Sequence, residues 1–314
     1  MVPGIPDAQR DNVSAIARTF GVSEREVSVA PRQGQVNLTI FLGSELVLRL
    51  PRKREFEKRL SKEAQVIPFV LERGIPTAKL VSFDSGHLIA DVAYIVLERL
   101  HGMTIDDMPS PEKGGERTYG SLSEILLTLH QVRKDSAEPI LGIETAEFSC
   151  EQLLDELTST GEIGSDQAAW LRQWFRRLET EGARSRDCVL LHGDVMPSNL
   201  ILDSSGEVTG IIDWGSACWG EASRDLAGFH TSRLPRVLDA YRSAGLSRGA
   251  EAADSGRALE AGVLWYQLFF ALARLGGRRS TSERRNWSAP REARLLELMR
   301  FLSSDIPDRW HFFR

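Results

Sequence analysis

Three polar side chains lie within an otherwise apolar stretch near the middle of the chain. Asp194, Asn199 and Asp213 are part of LHGDVMPSNLILDSSGEVTGIIDWG, residues 191–215. Carboxylate and amide oxygens suit Mg²⁺, a hard cation that takes a few protein oxygens and fills its other positions with water and phosphate. If Asn199 and Asp213 hold such an ion, Asp194 is left to orient or deprotonate a hydroxyl group. The residue types therefore indicate chemistry at a hydroxyl group beside a magnesium site.

A β-hairpin is predicted to bring these side chains together. The segments LLHGD, LILD and VTGIID are apolar and contain β-branched residues, which is typical of short strands. Between the last two segments, Ser-Ser-Gly-Glu favours a tight turn. Such a hairpin would return Asp213 to the neighbourhood of Asn199.

The same residues carry a family resemblance. HGDVMPSN followed by IIDWG resembles the two signature motifs of the aminoglycoside phosphotransferase and choline kinase group, which includes macrolide phosphotransferases and is related to the protein kinases. The resemblance implies that Asp194 is the catalytic base or hydroxyl-orienting residue. It also implies that Asn199 and Asp213 bind Mg²⁺. Capping or turn carboxylates are the alternative interpretation of the two aspartates.

Two neighbouring residues are interpreted as structural supports. His192 is predicted to be a core histidine that is hydrogen-bonded to a backbone group rather than a participant in the reaction. Asp225, in SRDLAGF, is similar to a family aspartate that helps to hold the active-site loop.

The front of the chain is predicted to bind the nucleotide. VNLTIFL and ELVLRL have strand patterns, and Gly43-Ser44 between them favours a hairpin turn. GQVNLTIF resembles the nucleotide-positioning loop of the family and the strand after it, which assigns Gly34 and Asn37 to nucleotide binding. Backbone amides in such a loop approach phosphate groups.

Further positions in the front half follow from the resemblance. LVLRLP is similar to the strand that carries the phosphate-binding cation, usually lysine, and here the position holds Arg49. Arginine stays charged and can bind phosphate oxygens through two nitrogens. Glu63 falls where the family places the helix glutamate that pairs with this cation, with a surface glutamate as the alternative. In YIVLERLHG, the backbone near Glu98 and Leu100 is expected to hydrogen-bond the nucleobase.

The wider pattern predicts an α+β fold of the bilobal, protein-kinase-like class. Apolar spacing predicts a helix over Ala8–Phe20 and a second over Arg54–Arg73, which Pro68 should kink or divide. AKLVSFDS and AYIVLERL predict two more strands, and the rear of the chain is mainly helical apart from the polar triplet. We therefore expect a small β-rich nucleotide-binding lobe over residues 1–100 and a larger, mainly helical catalytic and acceptor-binding lobe over residues 101–314.

Composition excludes several other classes of protein. The 314 residues are 42% hydrophobic and 26% charged, which is ordinary for a globular protein. A formal net charge of −5 and a pI near 5.8 give no reason to expect binding to nucleic acid or to an anionic membrane. The start of the chain lacks a signal-peptide pattern, and no later apolar run approaches the length of a membrane span. A cytoplasmic enzyme, as a monomer or weak dimer, is expected.

The resemblance implies transfer of the γ-phosphate of ATP or GTP, with Mg²⁺, to a hydroxyl group of a small molecule. An antibiotic is the first choice of acceptor, which would give resistance by inactivation. An aminoglycoside needs a pocket with several carboxylates, for which Asp155, Glu156 and Glu162 are candidates. A macrolide needs a broad apolar surface. Its candidate residues are aromatic: Trp170, Trp174, Trp265, Tyr266, Phe269 and Phe270.

Two alternatives to an antibiotic kinase stay open from the sequence. One is a kinase of a metabolite or natural-product intermediate, with an acceptor of the choline, homoserine or peptide-hydroxyl type. The other is a nucleotide-binding module without catalysis, which the complete triplet of Asp194, Asn199 and Asp213 disfavours.

Overall fold

The computed structural model describes residues 4–108, 114–134, 143–183, 188–248, 255–276 and 291–313. The helices are, in chain order, α1 (Asp7–Thr19), α2 (Glu57–Glu72), α3 (Glu116–His130), α4 (Cys150–Ser159), α5 (Ser165–Thr180), α6 (Ser223–Leu226), α7 (Leu234–Ser247), α8 (Ser255–Gly276) and α9 (Arg291–Arg300). The strands are β1 (Val27–Val29), β2 (Asn37–Leu42), β3 (Leu46–Pro51), β4 (Leu80–Asp84), β5 (Tyr94–Glu98), β6 (Met103–Thr104), β7 (Val189–Leu191), β8 (Leu200–Leu202), β9 (Val208–Ile211) and β10 (Cys218–Gly220).

The chain separates into two compact units. The first comprises Met1–Glu144 and His192–Cys218, and the second comprises Thr145–Leu191 and Trp219–Arg314. The polar triplet therefore belongs entirely to the first unit, together with the strands that were expected to bind the nucleotide. The lobe boundary near residue 100 stays a prediction.

A five-stranded antiparallel sheet forms the front of the first unit, in the order β1-β2-β3-β5-β4. The predicted hairpin of β2 and β3 is confirmed. Asn37 pairs with Pro51, Leu42 pairs with Leu46, and Gly43 turns between the strands at φ 66°. A left-handed turn residue suits a tight hairpin because glycine adopts positive φ without steric cost.

One face of this sheet packs against helix α1, which spans nearly the predicted residues. Period-two alternation in β2 buries Leu38, Ile40 and Leu42 in the same core as Val13 and Ile16 of the helix. All five side chains are 3% exposed or less. The strand alternation and the helical spacing of the sequence therefore meet in one apolar core.

Helix α2 is continuous through Pro68, so of the two predicted effects of this proline, a kink or a division, the division is wrong. A proline removes one intrahelical hydrogen bond. Against this loss, the flanking residues Leu60, Ile67 and Val70 are 0–1% exposed. Burial of this apolar face holds the helix together on both sides of the proline.

The predicted hairpin of β8 and β9 is confirmed, and β6 adds a third strand. The sequence after Gly102 predicts mainly helix apart from the polar triplet, so two-residue β6 was not predicted. A Cβ atom on Gly102, at φ 145°, would overlap the carbonyl oxygen of Leu202 in β8. The turn between β8 and β9 is fixed by Asp203 Oδ1, which accepts hydrogen bonds from Ser205 N at 2.8 Å and Glu207 N at 3.0 Å.

The second unit is mainly helical and contains the small pair of strands β7 and β10. A buried carboxylate, Glu260 in α8, fixes the end of the chain by accepting from Arg309 at 2.5 Å and from Trp310 Nε1 at 2.6 Å. Glu297 in α9 accepts from Thr231 Oγ1 at 2.6 Å and lies 2.9 Å from His230 Nε2. Burial alone would raise the pKa of Glu297, but these bonds lower it to about 2.

Helix α8 has the length and composition of a membrane span over Gly256–Gly276, with a mean hydropathy of 1.2. The expectation that no apolar run approaches this length is therefore wrong. Most of the stretch is buried within the protein, as in the core helix of a folded domain.

Candidate active site

Asp194 lies in a tight loop whose geometry depends on glycine and on Asn199. Gly193 has φ 80°, which an L side chain rarely adopts. Asn199 Nδ2 donates to the backbone oxygen of Asp194 at 2.9 Å and to its Oδ2 at 3.2 Å. Met196 N donates to the same backbone oxygen at 2.9 Å. The structure therefore brings the predicted base and one predicted metal ligand into direct contact.

The hairpin places Asp213 beside Asn199, as its sequence pattern predicted. Leu200 pairs with Ile211, and Ile212 N donates to the backbone oxygen of Asn199 at 3.0 Å. Because Asn199 Nδ2 is held by Asp194, the Oδ1 atom of the amide is left for a ligand. The Asp213 side chain is 41% exposed. An amide oxygen and a carboxylate on adjacent positions fit the donor set that Mg²⁺ takes.

His192 connects the two motifs. Its Nε2 donates to the backbone oxygen of Ile212 at 3.0 Å, and its Nδ1 accepts from Asp194 N at 3.3 Å. These partners require a neutral ring with the proton on Nε2. The ring is fully buried and meets the Trp214 ring edge-on, with 4.6 Å between centroids. The contacts support the structural role that the sequence suggested for this histidine.

Arg49, Glu63 and Asp213 form one ionic cluster. Arg49 Nη1 lies 2.5 Å from Glu63 Oε1, and Arg49 Nη2 lies 2.7 Å from Asp213 Oδ1. The arginine is in β3 and the glutamate in α2, 14 positions apart, whereas the aspartate is 164 positions from the arginine. Arg49 is 9% exposed and Glu63 is 1% exposed. The cation of the strand is thus paired with the helix glutamate, as the resemblance implied.

Burial and charge act in opposite directions within this cluster. Burial alone would lower the pKa of Arg49, but Asp213 and Glu63 raise it, so the guanidinium stays charged. Burial raises the pKa of Glu63 to about 7 even with Arg49 beside it. The pKa of Asp213 would also rise by burial, but Arg49 lowers it below its usual range. Arg49 therefore favours the ionised form of Asp213, whereas burial opposes the ionisation of Glu63.

The segment after Asp213 is fixed by contacts that the sequence did not reveal. Trp214 is fully buried, and its Nε1 donates to Thr77 Oγ1 at 2.9 Å and to the backbone oxygen of Ile211 at 3.2 Å. A Cβ atom on Gly215 would lie 3.3 Å from Arg59 Cβ in α2. Glycine thus lets helix α2 approach the segment that follows the predicted metal ligand Asp213. Arg59 and Thr77 were not predicted because their closeness depends on tertiary packing.

The predicted nucleotide-binding residues lie at the ends of two strands of the sheet. Gly34 precedes β2, and a Cβ there would lie 3.3 Å from the backbone oxygen of Asn37. Asn37 is 3% exposed, and its Oδ1 accepts no hydrogen bond from the residues that the structure describes. At the end of β5, Glu98 N donates to the backbone oxygen of Lys79 at 2.8 Å, while Arg99 N donates to the backbone oxygen of Glu45 at 2.7 Å.

Leu100 follows these two engaged amides. Its N–H forms no hydrogen bond within the described part of the chain, so of the amides at 98–100 it is the donor left for a nucleobase. The Leu100 side chain packs directly on Gly210 of β9, where a Cβ atom would overlap it. This contact ties the strand end to the hairpin of the triplet.

Comparison with known families adds an independent observation. The model of the phosphotransferase enzyme family matches residues 29–262. The chain belongs to this phosphotransferase family. The matched range contains all the predicted site residues, from Gly34 to Asp225.

Individual relatives of this phosphotransferase agree with the assignment. The aminoglycoside 3'-phosphotransferase of Streptomyces fradiae is 24% identical over 189 residues, which is 59% of this chain and 68% of that protein. The GDP complex of aminoglycoside 2'-phosphotransferase-IIIa has a TM-score of 0.70 at 17% identity, covering 94% of this chain and 98% of that one. The macrolide 2'-phosphotransferase MphH of Brachybacterium faecium has a TM-score of 0.60 at 21% identity, covering 85% and 90%. The predicted α+β, kinase-like fold class is confirmed.

The acidic residues considered for an acceptor pocket of the phosphotransferase lie on its surface. Asp155 in α4 is 71% exposed and lies 2.5 Å from Arg172, which also pairs with Glu151 at 2.7 Å. Glu156 and Glu162 are exposed as well. All three are thus surface carboxylates, and Asp155 is paired with Arg172.

Most of the aromatic residues considered for a macrolide pocket are core residues of the second unit. Trp174, Trp265, Tyr266 and Phe269 are 1–8% exposed, and the last three pack on one another in α8. Trp170 lines a shallow groove of about 320 Å³, at the small end of ligand sites. The aromatic pattern of α8 is therefore mainly that of a buried helix.

Asp225 lies in α6 of the second unit and is 1% exposed. Its N–H donates to the backbone oxygen of Ala222 at 3.2 Å. Such burial suits a supporting role better than contact with a substrate. That role stays a prediction.

Proposed function

We propose that this phosphotransferase transfers the γ-phosphate of ATP or GTP, with Mg²⁺, to a hydroxyl group of an antibiotic of the aminoglycoside or macrolide class. The modification would inactivate the antibiotic and give resistance. One observation carries the catalytic part of the proposal: Arg49 binds both Glu63 and Asp213 within the unit that also holds the Asn199–Asp194 contact.

Each residue of the site has a defined role in this reaction. Asn199 and Asp213 would hold Mg²⁺, which when bound neutralises charge on the terminal phosphates. Arg49, fixed by Glu63, would direct its N–H groups to phosphate oxygens. Leu100 N–H would donate to the nucleobase, and amides near Gly34 and Asn37 would approach the phosphates.

Asp194 would align the acceptor for in-line attack. The acceptor oxygen forms a bond to the γ-phosphorus while the bond between that phosphorus and the β–γ bridging oxygen breaks. The hydroxyl proton passes to the Asp194 carboxylate, and the nucleoside diphosphate leaves. Positioning and electrostatic stabilisation supply most of the acceleration in this chemistry, and no covalent enzyme intermediate is needed.

The acceptor class is supported by relatives that are aminoglycoside and macrolide phosphotransferases. The carboxylates and aromatic residues of the second unit do not distinguish an aminoglycoside acceptor from a macrolide acceptor. A cytoplasmic location and a monomeric or weakly dimeric state complete the proposal, and light scattering on the purified protein would test the latter.

Mass spectrometry of candidate acceptors tests the proposal directly. The protein would be incubated with Mg²⁺, ATP or GTP, and a panel of aminoglycosides, macrolides, peptide antibiotics and small amino alcohols. Loss of a positioned general base lowers rates by about 10²–10⁴-fold, so Asp194→Asn should abolish the phosphoryl mass gain on the acceptor. Glu207→Gln, an exposed acid of the same hairpin, is the matched control and should retain it.

Other outcomes would redirect the proposal. A mass gain only on an amino alcohol or a peptide would support the metabolite-kinase alternative. If no acceptor gains phosphate while the protein still binds Mg-nucleotide, the antibiotic proposal is refuted for this panel. An undiminished mass gain with Asp194→Asn would remove Asp194 from the reaction.

A further inference from the structure

The loop between β1 and β2 is closed at its base by one side chain. Gln33 Nε2 donates to the backbone oxygen of Ala30 at 2.9 Å and to that of Thr39 at 2.8 Å. Gln33 Oε1 accepts from Thr39 N at 2.9 Å. A single half-buried amide thus uses both its donor and its acceptor to join the two ends of the loop.

Arg52, directly after β3, holds the same loop from the other side. Its Nε donates to the backbone oxygen of Gly34 at 3.0 Å, and its Nη2 lies 3.4 Å from Gln33 Oε1. Its backbone N–H donates to Val36 O at 2.8 Å. Three separate bonds therefore join one arginine to residues 33, 34 and 36.

One of these bonds fixes the direction of a loop amide. A peptide unit is planar and trans, so the Gln35 N–H points away from the Gly34 oxygen that Arg52 binds. The N–H groups of Gly34, Gln35 and Val36 form no hydrogen bond to any residue in the described ranges. Backbone N–H groups that are not used within the protein can donate to anions such as phosphate oxygens.

We propose that Gln33 and Arg52 are positioning residues for the nucleotide. They hold the loop so that the amides of residues 34–36 face phosphate oxygens before the nucleotide arrives. This inference rests on the proposed function. It also explains how a loop with one glycine can bind phosphate as a glycine-rich loop does. The side-chain hydrogen bonds order the loop in advance, which reduces the conformational entropy lost when the nucleotide binds.

The competing explanation is that Arg52 acts only as a positive charge near the phosphates. Lysine separates the two explanations, because it keeps the charge but cannot donate from Nε and Nη2 in the fork geometry of arginine. We therefore compare Arg52→Lys, Arg52→Ala and Gln33→Ala. Lys53→Ala is the matched control, since Lys53 is an adjacent exposed cation whose Nζ lies 3.5 Å from Glu55.

Two measurements are made on the full chain. Calorimetry gives the Kd of Mg-ADP and Mg-ATP, and hydrogen exchange followed by mass spectrometry gives the protection of residues 31–36 without nucleotide. Loss of hydrogen bonds to a charged donor corresponds to about a 10-fold rise in Kd, expected equally for Arg52→Lys and Arg52→Ala. Exchange over residues 31–36 should be faster in both and in Gln33→Ala. Lys53→Ala should match the wild type in both measurements.

The outcomes separate this inference from the proposed function. Wild-type affinity in Arg52→Lys, with a defect in Arg52→Ala that disappears at high salt, would show a charge effect and overturn the inference. Unchanged Kd values and unchanged exchange in all variants would also overturn it. If the wild type binds no Mg-nucleotide, the proposed function fails and the positioning role falls with it.

Discussion

Replacing Glu63 with glutamine tests whether burial or the ion pair controls the carboxyl group of the ionic cluster. Glu63 is 1% exposed, and burial raises its pKa from 4.5 to about 7 in spite of Arg49. A group with a raised pKa in the folded state stabilises the protein below its unfolded pKa. That contribution is lost as the pH rises through the folded pKa.

The size of the effect follows from these two pKa values. One pKa unit corresponds to about 1.4 kcal/mol, so the wild type should lose about 2 to 3 kcal/mol relative to Glu63→Gln between pH 5 and pH 8. Glutamine has the shape of the protonated acid but does not titrate. The difference between the two proteins therefore isolates Glu63 from all other titrating groups.

Urea unfolding with a chelator present, at pH 5, 6, 7 and 8, measures this difference. Glu55→Gln is the control, because this side chain is 64% exposed and its variant should track the wild type at every pH. A difference that stays flat, or in which the wild type gains stability as the pH rises, would refute the reasoning. It would mean that attraction to Arg49 outweighs burial and that Glu63 is ionised throughout.

Three further predictions concern stability and share urea unfolding as the assay. Gly102→Ala should cost about 3 kcal/mol or more, because its Cβ overlaps the Leu202 oxygen at an unfavourable φ; Gly43→Ala, with open space around it, should cost only about 1 kcal/mol. Equal costs would contradict the close approach. The lowered pKa of Glu297 stabilises the protein above about pH 4.5, and this contribution is lost as the pH falls toward 2. Because the side chain is a third exposed, solvent weakens the effect. Glu297→Gln should therefore remove only about 1 kcal/mol of stability at pH 6 and nothing at pH 2. Trp214→Phe should cost about 2 kcal/mol through a lost hydrogen bond and a cavity, and an unchanged stability would show that the site collapses around the smaller ring.

The features that the sequence predicted well depend on local patterns. The β8–β9 hairpin follows from apolar runs on either side of a turn, and its register alone sets Asp213 beside Asn199. The Arg49–Glu63 pair was anticipated through the family motifs, one on a strand and the other on the following helix. Where the residues that carry the chemistry are close together in the sequence, the spacing of residue types predicts how they are arranged.

The features that the sequence did not predict depend on tertiary packing. Trp214 and Thr77 are 137 positions apart, and nothing in either local segment indicates their contact. Helix α2 passes through Pro68 because a buried face outweighs one missing hydrogen bond. Strand β6 is two residues long, and it forms by pairing with β8. The aromatic residues of α8 fit a pocket and a core equally well until their burial is known.

The backbone at Asp213 has a consequence for how this protein can change over generations. Its φ of 73° and ψ of 61° lie in the left-handed region, which glycine, asparagine and aspartate enter most easily. The conformation therefore admits about three kinds of residue, and the proposed reaction admits only aspartate among them. A descendant that loses the reaction but keeps the fold can carry asparagine or glycine at this position. In a library of variants sorted separately for abundance and for drug resistance, Asp213→Asn and Asp213→Gly should pass the first selection and fail the second.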